Sequence, residues 1–223
     1  MSRRVLILVE GQTEETFVKQ VLAPALAERG VYAVPTVHNT KRVKDGPNFK
    51  GGVTGFEKFR SDLARLLRDR EATATTLIDY YGLPEDFPGM KERARHAAAR
   101  DRVRHVEAAL AAAMGNPPNF IPFIALHEFE AWVFTDPAVL PRLMTEPGKA
   151  ADMLALRSSV SGPEDINESP QTAPSKRLLR LFPGYRKPFH GPNAVETIGL
   201  DCIRKECPHF DAWVGKLEFQ SSL

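Results

Sequence analysis

The chain reads as an α/β protein, a small and mainly parallel sheet flanked by helices with a helical C-terminal part. The run Val5-Leu6-Ile7-Leu8-Val9 is continuously apolar and rich in branched residues, as in a strand buried on both faces. Similar runs alternate with apolar stripes at helical spacing as far as Phe134, the pattern of βαβ units. Beyond Asp136 the strand pattern disappears, and short helical stretches alternate with turns. At 43% hydrophobic and 26% charged over 223 residues, the composition supports a packed core rather than disorder.

Taken in order, the first strand ends at Glu10-Gly11-Gln12-Thr13. Thr13 is the expected helix cap, and Glu14 and Glu15 follow at the positive end of the helix dipole. Phe17, Val18, Val21, Leu22 and Leu26 form the apolar stripe of that helix. Tyr32–Val37 reads as the second strand, followed by a polar loop, 39–55, that carries Lys41, Arg42, Lys44, Lys50, Gly51 and Gly52. Phe56, Phe59, Leu63, Leu66 and Leu67 mark a second amphipathic helix. Thr75–Ile78 forms the third strand, ending at Asp79, with turns at Gly82-Leu83-Pro84 and Pro88-Gly89. Lys91–Met114 reads as one long helix. Phe120–Leu126 is the fourth strand, with Pro122 marking an edge or a bulge. His127–Phe134 fits either an extension of that strand or the opening of a helix. Later helices are expected at Pro137–Met144, Lys149–Arg157 and Pro174–Phe182, with two more inside Asn193–Leu217. The polar stretch Ser161–Ala173 is the best linker. The expected division is 1–135 for the α/β part and 136–223 for a helical extension packed on it, or one single domain.

The bulk properties exclude several classes. Net charge is only +2, so any surface for nucleic acid must be a local patch. The apolar run near the start is too short for a signal segment, and no stretch approaches the ~20 apolar residues of a membrane span. With two cysteines, Cys202 and Cys207, a disulfide framework is not expected, and the cytoplasm is the natural location. There is no phosphate-loop motif for ATP hydrolysis, no Gly-x-Ser-x-Gly elbow and no dinucleotide fingerprint.

Open α/β sheets place their sites outside the carboxyl ends of the strands. Three acidic positions fall there: Glu10 after the first strand, Asp79 after the third, and Glu128 with Glu130 after the fourth. Converging carboxylates repel one another and are most readily retained around a cation such as Mg²⁺ or Mn²⁺. Such an ion neutralises phosphate oxygens and activates water. The plainer reading makes each acid a helix-start residue or a solvated loop charge.

The stretch Leu6-Ile7-Leu8-Val9-Glu10-Gly11-Gln12-Thr13-Glu14 resembles the opening motif of Toprim domains, found in topoisomerases, primases and the overcoming-lysogenization-defect nucleases. The resemblance implies that Glu10 is a catalytic acid or base, and that Asp79 opens a magnesium-binding Asp-x-Asp. Tyr81 stands where the second aspartate of that pattern falls, so Glu128 or Glu130, or more weakly Asp86, would complete the shell. A narrower resemblance spans nearly the whole chain. Lys50-Gly51-Gly52, Asp79-Tyr80-Tyr81-Gly82-Leu83-Pro84, His127-Glu128-Phe129-Glu130-Ala131-Trp132, Ala173-Pro174-Ser175-Lys176-Arg177 and Cys207-Pro208-His209-Phe210 together resemble a bacterial Toprim-like family, domain of unknown function 4276. That resemblance implies a nuclease-type site and an ATPase partner of the ABC or AAA type, in phage or mobile-element defence.

Pro174-Ser175-Lys176-Arg177 fits a helix start. Ser175 and Lys176 are expected to meet a phosphate there, helped by free main-chain N–H groups, with Arg177 a further substrate-binding candidate. The resemblance to overcoming-lysogenization nucleases makes Lys176 the lysine expected near the metal, while the plain alternative is a helix start with solvated cations. Lys50, in its basic loop, is a candidate for tracking a nucleic-acid backbone. His127 reads as a packed histidine more readily than as a proton carrier. Glu164 and Glu168 read as solvated loop acids. Cys202, Cys207 and His209 lack a second ligand pair, so a helix junction packed with Trp213 suits them better than zinc. Trp132 and Trp213 read as core.

These readings converge on a Mg²⁺-dependent phosphodiesterase acting on nucleic acid, DNA rather than RNA. The alternative is a Toprim-like binding or regulatory subunit of an ATPase complex, without chemistry of its own.

Overall fold

The first apolar run forms β1, Arg3–Val9, in the middle of the sheet. A computed structural model describes residues 3–38, 52–94, 97–167 and 169–219. In it, β1 pairs in parallel with β2 (Val31–Val37) on one side and with β3 (Ala72–Asp79) on the other. Two short strands, β4 (Phe120–Ile121) and β5 (Ile124–Ala125), pair in parallel with β3. The chain steps first to one side of β1 and then to the other. Strand order therefore reverses about β1, and in open α/β sheets ligand sites lie outside the carboxyl ends of the strands at such a reversal.

Residues on β1 alternate between two cores. Val5, Ile7 and Val9 join one, and Leu8 joins the other with Phe59, Ile78 and Val103. The larger core is aromatic. Phe17 and Trp132 lie 5.3 Å apart, Trp132 and Phe210 4.6 Å apart, and Phe123 stacks on Trp213 at 4.2 Å. Such pairs each add about 0.5–1.5 kcal/mol beyond their buried area. This core runs without a break from β1 to the C-terminal helices, taking in Leu178, Val195, Ile203 and Leu217.

The expected fourth strand is broken into β4 and β5. Pro122 offers no N–H to the ladder, and Thr76 fills the gap beside it. Its Oγ1 donates to the Phe123 carbonyl at 2.8 Å and accepts the Phe123 N–H at 3.0 Å. His127–Phe134, left open by the pattern, becomes a 3₁₀ segment, Phe129–Thr135.

The first helix runs as α1 (Gln12–Phe17), a π-turn (Val18–Leu22) and α2 (Ala23–Ala27). Pro24 cannot donate to the helical ladder and crowds the turn before it, and the wider turn precedes it. Thr13 is not the cap. Gly11 is extended, the helix starts at Gln12, and Thr13 lies buried in the first turn. α3 (Phe56–Leu66) forms as the pattern predicts. α4 covers only Ala99–Ala113, shorter than the expected 91–114. Phe87 and Met90 are buried, and a Cβ on Gly89 (φ +78°) would lie 2.8 Å from Ala109 Cβ. Residues 87–90 thus form a turn pressed against that helix, and the described residues 91–94 are not helical.

Strands are absent after Asp136 among the described residues. α5 (Val139–Leu143), α6 (Ala150–Ser158) and α7 (Pro174–Leu181) fall close to their expected places. Three helices follow, not two: α8 (Lys187–Ile198), α9 (Leu200–Glu206) and α10 (Pro208–Phe219). α8 begins ahead of the expected start because Pro188 sits in its first turn, where a missing N–H costs nothing. Ser161–Ala173 is no free linker: it holds two 3₁₀ turns and buries Glu164, Ile166 and Asn167. No helix among the described residues is long and apolar enough to cross a membrane.

Candidate functional site

β1 and β3 deliver two carboxylates side by side. The N–H of Glu10 continues the ladder to the Leu77 carbonyl at 3.2 Å, which fixes the residue just past the strand end. Its Oε2 then accepts the Asp79 N–H at 2.9 Å. Asp79 projects to the same face as Leu77, two residues earlier, the face covered by α1 and α8. Its Oδ1 accepts the Phe129 N–H at 2.8 Å, which ties the start of the 3₁₀ segment to the strand end. Its Oδ2 meets Lys187 Nζ at 3.0 Å, and the same ammonium lies 2.9 Å from Glu130 Oε2. Tyr185 donates its hydroxyl to Glu130 Oε1 at 3.4 Å. Glu14, in the first turn of α1, is 3% exposed and within the electrostatic reach of Asp79 and Glu130.

Four acids thus share one ammonium in a site that is mostly buried. Burial, then Asp79 and Glu14, push the Glu10 carboxyl well above its ordinary range. Burial and Asp79 push Glu14 up to about 8. Burial pushes Glu130 up to about 7, with Lys187 opposing and Asp79 reinforcing. Burial alone would pull the Lys187 ammonium down, but Asp79, Glu130 and Glu14 outweigh it and hold it well above the usual lysine value. Burial and Glu130 raise the Tyr185 phenol. In donor type and in excess negative charge the set fits a hard divalent cation. Among the described residues, however, no three His, Cys, Asp or Glu side chains converge as a ready-made metal cage, and the ammonium of Lys187 stands between Asp79 and Glu130.

The structure brings together Glu10, Asp79 and Glu130 of the residues singled out in the sequence. Glu128 is engaged elsewhere. Its Oε2 accepts the Ser175 N–H at 2.8 Å and its Oε1 the Ser175 hydroxyl at 3.0 Å. It serves α7 as a carboxylate cap, so the Ser175 N–H expected to meet a phosphate is given to Glu128. Arg177 Nε donates to the Thr172 carbonyl at 2.7 Å. Lys176 is exposed on α7, with no ion pair to a described residue, and the lysine that reaches the carboxylates is Lys187 instead. Asp86 Oδ2 accepts the Phe56 N–H at 3.0 Å and so caps α3. Lys50, Lys41, Arg42, Lys44, Gly51 and Glu168 lie outside the described residues, while Gly52 returns beside Glu10.

The remaining candidates are structural. His127 is buried with φ +66°, and its carbonyl accepts the Tyr81 N–H at 2.8 Å. Burial pulls its pKa down to about 4, so the ring is neutral near pH 7. Glu164 is not solvated: it is 2% exposed and accepts the His209 and Phe210 N–H groups, both at 3.0 Å, at the start of α10. Cys202 is exposed and Cys207 buried, while His209 Nε2 faces Glu107 Oε1 at 3.0 Å. Trp132 and Trp213 are core.

Sequence reasoning missed Glu14, Lys187 and Tyr185. Glu14 carried a usable signal, since four residues past Glu10 a helix start brings its side chain back towards the strand end. Lys187 gave little signal, standing more than one hundred residues from Asp79 with only Pro188 to mark a helix start.

Fold and site together define an α/β protein with an acidic centre at the switch point of a parallel sheet. A family model, domain of unknown function (DUF4276), matches residues 9–218, and the chain belongs to that family. No curated protein and no solved structure matches it.

Proposed function

We propose that this chain is a phosphodiesterase that uses Mg²⁺ or Mn²⁺ to cut nucleic acid, DNA rather than RNA. One observation carries the reading: Glu10, Glu14, Asp79 and Glu130 share a buried strand-edge site in which, among the described residues, Lys187 is the ammonium that pairs with them. A charge excess of this kind destabilises the fold unless a cation relieves it, and perturbed carboxyls in a cleft mark functional sites. The Toprim-like opening motif supports the same reading. Glu10, Glu14, Asp79 and Glu130 would hold the ion, which supplies neutralisation of phosphate oxygens and a lowered pKa for water. Glu10 spends Oε2 on the Asp79 N–H, which would leave Oε1 either to bind the ion or to accept a proton from water. Lys187 takes the part expected of Lys176, holding negative charge on the scissile phosphate. Glu10→Ala protein is expected to keep its circular dichroism spectrum and to lose at least ~100-fold of Mg²⁺-dependent cleavage of a fluorescent DNA. Undiminished cleavage by that variant would overturn the reading.

A second reading is favoured by the same lysine. Lys187 already pairs with Asp79 and Glu130, as it would in a purely structural polar centre that pins α8 to the sheet edge. The chain would then be a non-catalytic subunit docked on an ABC- or AAA-type ATPase. Protein that co-purifies with such an ATPase yet binds neither Mg²⁺ nor Mn²⁺ would select this alternative. Under both readings we place the chain in the cytoplasm, in phage or mobile-element defence, on the strength of the family resemblance.

A further inference from the structure

The whole chain carries a net charge of only +2, but residues 169–195 contain Lys176, Arg177, Arg180, Arg186 and Lys187 and no Asp or Glu. The fold divides this segment into two sides. On the inner side, Ser175 binds Glu128, Tyr185 reaches Glu130, and Lys187 enters the acidic site. On the outer side, Lys176, Arg180 and Arg186 are exposed, and none forms an ion pair with a described residue. Arg177 lies beside Arg180, and burial together with that like charge lowers its pKa. At the start of α8 stands Phe189, 54% exposed, with the Arg186 guanidinium 5.2 Å from its ring centroid and the His190 ring 5.0 Å away at 79°.

An exposed aromatic ring beside a cation that has no ion pair to a described residue matches one kind of ligand. The cations track a phosphate backbone, and the ring offers a platform for a base. A duplex hides its base faces, so only an unpaired strand can use both features. A membrane is a poorer match: Leu179 and Phe189 are the large apolar side chains exposed on α7 and α8, too little for an interfacial anchor.

We propose that the exposed start of α8 binds single-stranded nucleic acid, with Phe189 stacking on a base, Arg186 beside it holding the neighbouring phosphate, and the exposed α7 cations Lys176 and Arg180 adding to the attraction for the backbone. The proposal deepens the phosphodiesterase reading and rests on it for one point, that the bound strand is the substrate. Lys187, two residues before Phe189 on the same helix, reaches Asp79, so one helix start carries both the ring and a contact to the carboxylates.

The test is fluorescence anisotropy with a labelled oligothymidylate and with a duplex of equal length, both in EDTA so that binding is read without cleavage. Wild-type protein is expected to prefer the single strand. Phe189→Ala should weaken that binding roughly ten-fold or more, the loss expected for one stacked base, without changing the melting temperature. The double variant Arg180→Ala, Arg186→Ala should weaken binding and flatten its dependence on salt. Unchanged single-strand affinity in Phe189→Ala, a preference for the duplex, or binding to phosphatidylserine vesicles but not to the oligonucleotide would each overturn the proposal. Intact binding in protein that never cleaves would instead sink the phosphodiesterase reading alone.

Discussion

Glu164 and Glu14 are both almost fully buried carboxylates, 2% and 3% exposed, and their surroundings could hardly differ more. Glu164 accepts two main-chain N–H groups at the start of α10, with Arg100 3.5 Å away. Its charge answers the free donors of a helix, and the result is a joint. Glu14 faces Asp79 and Glu130, with Lys187 lowering its pKa, and burial holds it protonated up to about pH 8. A buried carboxyl satisfied by the main chain is explained by the fold. One kept among like charges is not explained by main-chain bonding, and it is the kind of group that marks a candidate functional site.

This contrast can be broken most forcefully at Glu164. Glu164→Ala leaves the first N–H groups of α10 buried without acceptors, and is expected to cost about 3 kcal/mol in urea denaturation. A loss below about 1 kcal/mol would show that the joint is not structural. Glu14→Gln should act in the opposite direction. With a like charge gone, metal-free protein should gain about 1 kcal/mol at pH 8 and lose affinity for divalent cations. A destabilised Glu14→Gln protein would place Glu14 with Glu164 as a structural acid.

The pH dependence sharpens the same point. Folded Glu14 and Glu130 keep their protons up to about pH 8 and 7, whereas in the unfolded chain they release them near the ordinary value of 4.5. Between those values the folded state binds more protons, so stability falls as pH rises. In EDTA the melting temperature should therefore decline from about pH 5 to pH 8, and added Mg²⁺ should restore most of it at pH 8. A flat profile would remove the charge conflict from the account. The smallest effect concerns thiols beside the Glu164 joint. Burial and then Glu164 raise the Cys207 thiol, while Cys202 is exposed, so a thiol reagent should label Cys202 quickly and Cys207 only on unfolding.

The sheet was legible because its strands announce themselves locally. β1 is an unbroken apolar run, β3 ends on a lone aspartate, and Pro122 marks the break between β4 and β5. The acids at the strand ends followed from the parallel topology: Glu10 accepts the Asp79 N–H, and Asp79 and Glu130 share Lys187. The contributions from α1 and α8 were harder to read. Glu14 looked like a dipole-stabilising helix-start residue, a role its position also permits. Lys187 and Tyr185 reach the site only because α8 packs across α1, and that contact is tertiary and leaves no mark on the local sequence. Glu128 was misjudged for a related reason. Its oxygens are taken by Ser175 on a helix that begins far along the chain, so proximity in sequence to Glu130 said nothing about its partner.

The central claim is that the strand-edge carboxylates bind a divalent cation. Calorimetric titration of Mn²⁺ into wild-type protein and into the Glu10→Ala and Asp79→Ala variants tests it most directly. The account predicts saturable binding in the wild type that is lost in both variants while their folds persist. Absence of binding in the wild type would contradict it and leave Lys187 as the permanent cation of a structural centre.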